Sequence, residues 1–254
     1  MLLCAPPSFA QTAGGAISVG GSASIGGGIN SAVSGTWAFV QFKFFDALGG
    51  GTGGSSCPNS GTTCTVNVSS VTPGHLLVAV DMYFSGGGVL TLSSVSGETW
   101  THCGGTNGCS FLDPVQNIGV DASYVLSATG GETSFTCTLS GANGGYQSCG
   151  IYEYSWSGST KTFDTSNGSH STACTSCPGI ALTLSGTSDV IIQTAVPQNS
   201  FTAVSGGAGY TSPVTFYNGG GNVGAINTTN GAAPTWTQNN SGTAAYMALA
   251  FKGS

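Results

Sequence analysis

Residues 75–84 read HLLVAVDMYF. Leu76, Val78, Val80, Met82 and Phe84 recur at every second position, the period at which a β-strand turns its side chains to one face. Outward from this stretch the same texture repeats. WAFVQFKFF (37–45) and CTVNVSS (64–70) precede it, and VLTLSSV (89–95), ETWTH (98–102) and VDASYVLS (120–127) follow. In ETSFTCTLS (132–140), Phe135, Cys137 and Leu139 take the inward parity, while Glu132, Ser134, Thr136 and Thr138 take the outward one. GIYEYSW (150–156) sets Tyr152, Tyr154 and Trp156 on one side. IALTLS (180–185), DVIIQTAV (189–196), SPVTFY (212–217), VGAINTT (223–229) and TAAYMALAFK (243–252) complete about a dozen expected strands. Turn-forming residues separate them, so the expected class is all-β: an antiparallel, jelly-roll-like sandwich with disulfide-stapled loops.

Composition agrees with that reading. Forty-three of 254 residues are glycine, a density that disfavours helix interiors and supplies turns. Only 5 % are charged, against a usual ~25 %. The cations are Lys43, Lys161 and Lys252, set against nine acids. A chain of net charge −6 with three lysines cannot neutralise phosphates, which excludes nucleic acid as a main partner. No run of ~18 apolar residues follows the leader, so no membrane span is expected. A surface of Ser, Thr, Asn and Gly has little to titrate, and stability is expected to depend weakly on pH. The same surface puts little repulsion between copies of the chain.

The opening MLLCAPPSFA (1–10) reads as the remnant of a signal peptide. Residues 11–36 form a glycine-rich arm or linker whose apolar positions are Ile17, Val19, Ile25 and Ile29. Residues 37–254 are expected to fold as a single sandwich. Eight cysteines follow the leader, an even number that in an exported chain argues for disulfides. They fall into four local couples: Cys57–Cys64, Cys103–Cys109, Cys137–Cys149 and Cys174–Cys177. The third is expected to close a turn between strands, the fourth to be a CTSC turn, and all four to stiffen loop tips. A single CxxC argues against a zinc site, and Pro178 stands where a haem attachment would need histidine.

Taken together, GHLLVAV, SGETWT, YEYSWSG, SDVIIQTAV, GAGYT and AAYMALAFKGS resemble a jelly-roll-like β-sandwich domain that recurs in secreted bacterial proteins. The resemblance runs from about Trp37 to the end of the chain. It implies a fold and export, and no particular chemistry.

Candidate chemistry is sparse. A glycosidase needs two carboxylates facing one cleft, and the pool is Asp81, Glu98, Glu132 and Glu153. None of them lies in the spacing that places two acids on one strand face. No G-x-S-x-G elbow occurs, and His75, His102 and His170 are scattered. No catalytic residue is therefore assigned. Asp113, Asp121 and Asp164 are weak calcium candidates, and no other cofactor is expected. A sugar-binding surface would draw on Trp100, Tyr152, Tyr154, Trp156 and Trp236. The leading expectation is a non-enzymatic extracellular or cell-surface structural subunit that pairs with copies of itself by strand exchange through the arm. A polysaccharide-binding module comes second, and a glycoside hydrolase third.

Overall fold

The computed structural model describes residues 35–88, 90–103, 109–113, 115–211, 214–217 and 220–254. The leader and the arm residues Ile17, Val19, Ile25 and Ile29 lie outside them. No helix occurs among the described residues. Fifteen strands follow in chain order. The first five are β1 (Trp37–Asp46), β2 (Thr63–Asn67), β3 (Leu76–Phe84), β4 (Leu92–Val95) and β5 (Thr101–His102). Next come β6 (Phe111–Asp113), β7 (Ile118–Val125), β8 (Ser134–Leu139), β9 (Tyr146–Trp156) and β10 (Lys161–Pro178). The last are β11 (Asp189–Pro197), β12 (Phe201–Ser205), β13 (Val214–Tyr217), β14 (Gly220–Thr228) and β15 (Thr235–Gly253).

These strands form three antiparallel sheets. The first runs β1-β9-β3-β7-β5, with β6 also on β7; the second runs β10-β15-β11-β14-β13, with β12 on β15; the third is β2-β8-β4. The first sheet lies between the other two, as β3 shows. Its Leu76, Val78, Val80 and Met82 join one core with Val190, Ile192, Met247 and Leu249 of the second sheet. Leu77 and Ala79, of opposite parity, join another with Val66, Leu92, Phe135 and Cys137 of the third. Each such aliphatic side chain contributes about 1.5–3 kcal/mol by leaving water. At one end of the sandwich Trp37 Nε1 donates to the Ser188 carbonyl (2.9 Å), and its backbone N–H donates to Asn227 Oδ1 (2.6 Å). That pair of bonds ties β1 to the second sheet.

Several expectations change. IALTLS is not a strand: residues 179–186 cross the outer face of the second sheet and bury Ile180 and Leu182 against Trp236 and Ile191. The Gln193 side chain takes the place of a ladder partner there. Its Oε1 accepts the Ile180 N–H (3.1 Å), and its Nε2 donates to the Ile180 carbonyl (2.6 Å). The 18-residue β10 escaped notice because it is an edge strand with only Ser171 and Cys177 buried, so it carries no hydrophobic period.

All four cysteine couples are disulfides, but two have a different setting from the one expected. Cys174 and Cys177 lie within β10, at shifts in its register with β15, rather than in a turn. Cys137 (β8) and Cys149 (β9) join the third sheet to the first, with both residues fully buried. Cys64 is the cross-strand neighbour of Cys137, so the Cys57–Cys64 bridge continues the same staple into the preceding loop. Replacing Cys137 and Cys149 together by alanine should cost about 2–4 kcal/mol of unfolding free energy. Denaturant titration of the double variant checks this, and an unchanged midpoint would mean that the two sheets need no covalent tie.

Candidate functional site

A sheet covered on both faces must internalise whatever polar side chains its strands carry. On the face turned to the third sheet, Asp81 of β3 stands directly opposite Asp121 of β7, and both are fully buried. Asp81 Oδ2 accepts from Gln147 Nε2 at 2.8 Å. Burial pushes the Asp81 carboxyl well above the usual range, and the Asp121 charge adds to the effect, while the Gln147 hydrogen bond only partly offsets them. Asp121 accepts the Leu92 N–H at 2.6 Å and lies 2.9 Å from His102 Nε2 through either oxygen. The hydrogen bond to Asp121 raises the His102 pKa against a smaller opposing effect of burial. Tyr83, on the same face, donates to the Leu90 carbonyl at 2.5 Å. Its ring lies against Gly119, where any Cβ would overlap it.

Glu153 shares that face but not that cluster. Its cross-strand partner Leu77 lies four positions before Asp81 along β3, about 13 Å at the rise of an extended strand. Its carboxylate accepts the Thr72 N–H (3.0 Å) and Gln41 Nε2 (2.5 Å), and His75 Nδ1 lies 2.6 Å away. Gln41 in turn exchanges hydrogen bonds with the Ser69 backbone. Glu153 thus fastens the 69–75 loop to β9, and it is fully buried. The other two acids of the glycosidase pool do meet, at the surface: Glu98 Oε1 accepts from the Thr129 backbone and hydroxyl (2.7 and 2.9 Å), and Glu132 Oε1 lies 3.2 Å from the same hydroxyl. One hydroxyl proton can serve only one of them at a time, and the contacts order the 129–130 turn.

The aromatic pool disperses. Tyr152, Tyr154 and Trp236 are fully buried, the two tyrosines stacked 6.1 Å apart in the main core and Trp236 tilted against Phe201. Trp156 packs on Trp37 at 5.0 Å, and Trp100 meets Phe135 edge-on at 5.6 Å. Trp156 and Trp100 are only partly buried and pack against different cores, so the five rings form no shared platform. The calcium candidates are equally separated. Asp113 caps the turn at Val115 (2.8 Å), Asp121 holds His102, and Asp164 holds Ser185. Among the described residues no three His, Cys, Asp or Glu side chains gather as metal ligands. His170 stacks on Phe111 at 5.3 Å.

One constellation escaped the sequence reading. Asp164 (β10), Asp189 (β11) and Lys252 (β15) come together where the second sheet meets the 185–186 loop. The Ser185 N–H donates to Asp164 Oδ2 at 2.8 Å and its hydroxyl to Oδ1, while Lys252 Nζ lies 3.4 Å from that oxygen and 2.8 Å from Ser185 Oγ. Burial, reinforced by the neighbouring Asp164 carboxylate, pushes Asp189 up to about 7. For Asp164, burial acts upward, but the hydrogen bonds from Ser185, Asp189 and Lys252 outweigh it and hold it below the usual range. The two acids therefore divide into a proton holder and a carboxylate. The only clue in the sequence was an acid opening a mostly apolar strand, DVIIQTAV.

No protein-family model matches the chain, and no curated protein is similar to it.

The expected indifference to pH does not follow from these buried groups. Asp189 has its pKa raised from 3.8 to about 7 on folding, so its contribution is fully present below pH 3.8 and is lost as pH rises through about 7. Asp81 and His102, also raised, act in the same direction; lowered Asp164 opposes them only as pH falls below 3.8. Unfolding free energy should therefore be greater at pH 4 than at pH 8. Asp189→Asn, neutral at every pH, should flatten the slope and raise stability at pH 8. Urea titrations across this window test both, and a variant as pH-sensitive as the parent would remove Asp189 from the account.

Proposed function

We propose that this chain is a non-enzymatic extracellular structural protein, a subunit that joins copies of itself into a filament or matrix through β-strand pairing. The observation that carries the reading is the β10 edge. β10 ends the second sheet and, among the described residues, pairs with β15 alone. Between the register shifts at Phe163/Thr165 and Ser171/Cys174 it runs seven residues in regular register, Thr165 to Ser171. Natural edge strands are protected from pairing by charges, prolines, bulges or short length. This run, TSNGSHS, holds neither charge nor proline, and its bulges lie at its ends.

An added strand would gain affinity from the main chain and specificity from alternate side chains. The sequence supplies a donor of that form in the arm of a neighbouring copy, residues 11–36, with Ile17, Val19, Ile25 and Ile29 on a glycine background. Support for an extracellular setting comes from the four disulfides, which persist in oxidising compartments. A surface with few charges opposes close packing of copies only weakly. The buried acids described above serve stability in this reading, and none is assigned a substrate.

Asn167 and Ser169 are exposed on this run, and replacing both by lysine should change folding stability by no more than about 0.5 kcal/mol each. Assembly should nonetheless be lost, because lysine on an edge blocks strand addition. Removing residues 11–34, which keeps the Thr36 bonds to Ser157, should likewise leave folded monomers. Sedimentation and electron microscopy read both variants against the parent. Polymers that persist in the lysine variant, or a parent that never assembles, would overturn the proposal.

A further inference from the structure

The four disulfides do not stand in equal positions. Cys57, Cys64, Cys103, Cys109, Cys137, Cys149 and Cys177 are all buried; Cys174 alone of the eight is partly exposed. It lies on the edge strand at the register shifts between Ser171 and Ser176, where the ladder with β15 is already interrupted. Both sulfurs have polar donors beside them. The Ser171 hydroxyl lies 3.2 Å from Cys174 Sγ, and the buried Gln238 side chain places Nε2 3.2 Å from Cys177 Sγ. Gln238 Nε2 also lies 2.7 Å from the Gly242 carbonyl and 3.1 Å from the Cys174 carbonyl, so its two hydrogens are shared among three acceptors that hold the side chain in place.

We infer that Cys174–Cys177 is an exchangeable disulfide, attacked at Cys174 by an external thiol, while the other three bridges are structural. The thiolate of a small or protein thiol attacks Cys174 Sγ, the sulfur of the partly exposed cysteine. A new sulfur–sulfur bond forms there, the Cys174–Cys177 bond breaks, and its electron pair leaves on Cys177 Sγ. The Gln238 N–H meets that developing charge, and the thiolate then takes a proton from water. The resulting thiol lies 3.3 Å from the Cys174 carbonyl and can donate to it. The reverse step needs no other reagent: Cys177, three residues away, attacks the mixed disulfide and expels the incoming thiol. The bridge closes the shortest loop of the four, so opening it releases the least restriction on the unfolded chain. The chemistry is thus available without dismantling the sandwich. The site needs neither the arm nor assembly of copies.

Graded reduction of the native protein by glutathione, trapped with N-ethylmaleimide and mapped by peptide mass, tests the inference. Cys174–Cys177 should open at least about tenfold faster than any other pair, with the glutathione adduct on Cys174. Cys177→Ser, exposed to oxidised glutathione, should hold one stable adduct on Cys174 because the resolving sulfur is gone. Another pair opening first, an adduct on Cys177 of the parent, or an unmodified Cys174 in the variant would each overturn the inference.

Discussion

The ladder β1-β9-β3-β7-β5 carries a sheet on each of its faces, so nearly every side chain along β3 and β9 leaves water when the chain folds. An antiparallel sheet commonly keeps one wet face, where its polar residues stand. Here that outlet is closed, and Asp81, Asp121, Gln147 and Glu153 must find partners inside. Asp81 and Gln147 pair with each other, while Glu153 fastens a loop, and Asp121 accepts the first N–H of β4 and holds His102. Burying a charged or polar group without such partners costs more than the hydrogen bonds return, which is why the acids sit in networks.

A scarcity of charge is therefore not the same as indifference to it. Few ionisable groups occur, but several of them are enclosed, and at Asp81 and Asp189 burial favours the protonated carboxyl. The chain gains stability from acidity through the same burial that builds its core. The second sheet repeats the theme with Asp164 and Asp189, one carboxyl charged against Lys252 and the other neutral beside it.

The third sheet and the segments over the second sheet close the remaining faces, and the bridges follow this layering. Cys137–Cys149 couples layers from within, whereas Cys174–Cys177 sits on an edge strand that has only one neighbour among the described residues. Disulfides between near neighbours in sequence thus serve different ends according to what surrounds the sulfur. Structural permanence goes with burial, and chemical availability with exposure.

Local pattern was enough to place most of the strands. Alternation in 75–84 and 132–140, and the mostly apolar run 189–196, reflects which side chains leave water, a property visible one residue at a time. The near-neighbour cysteine pairs were legible for the same reason, since close spacing limits their partners. Polar β10 was invisible because an edge strand needs no hydrophobic period, and IALTLS misled because an extended segment that covers a sheet alternates just as a strand within one does. What met what was decided only by the packing of layers: Asp81 against Asp121, Asp164 beside Asp189 and Lys252, Gln238 on Cys177. Those contacts join residues 25 to 88 positions apart through register and sheet stacking, for which no local sequence period exists.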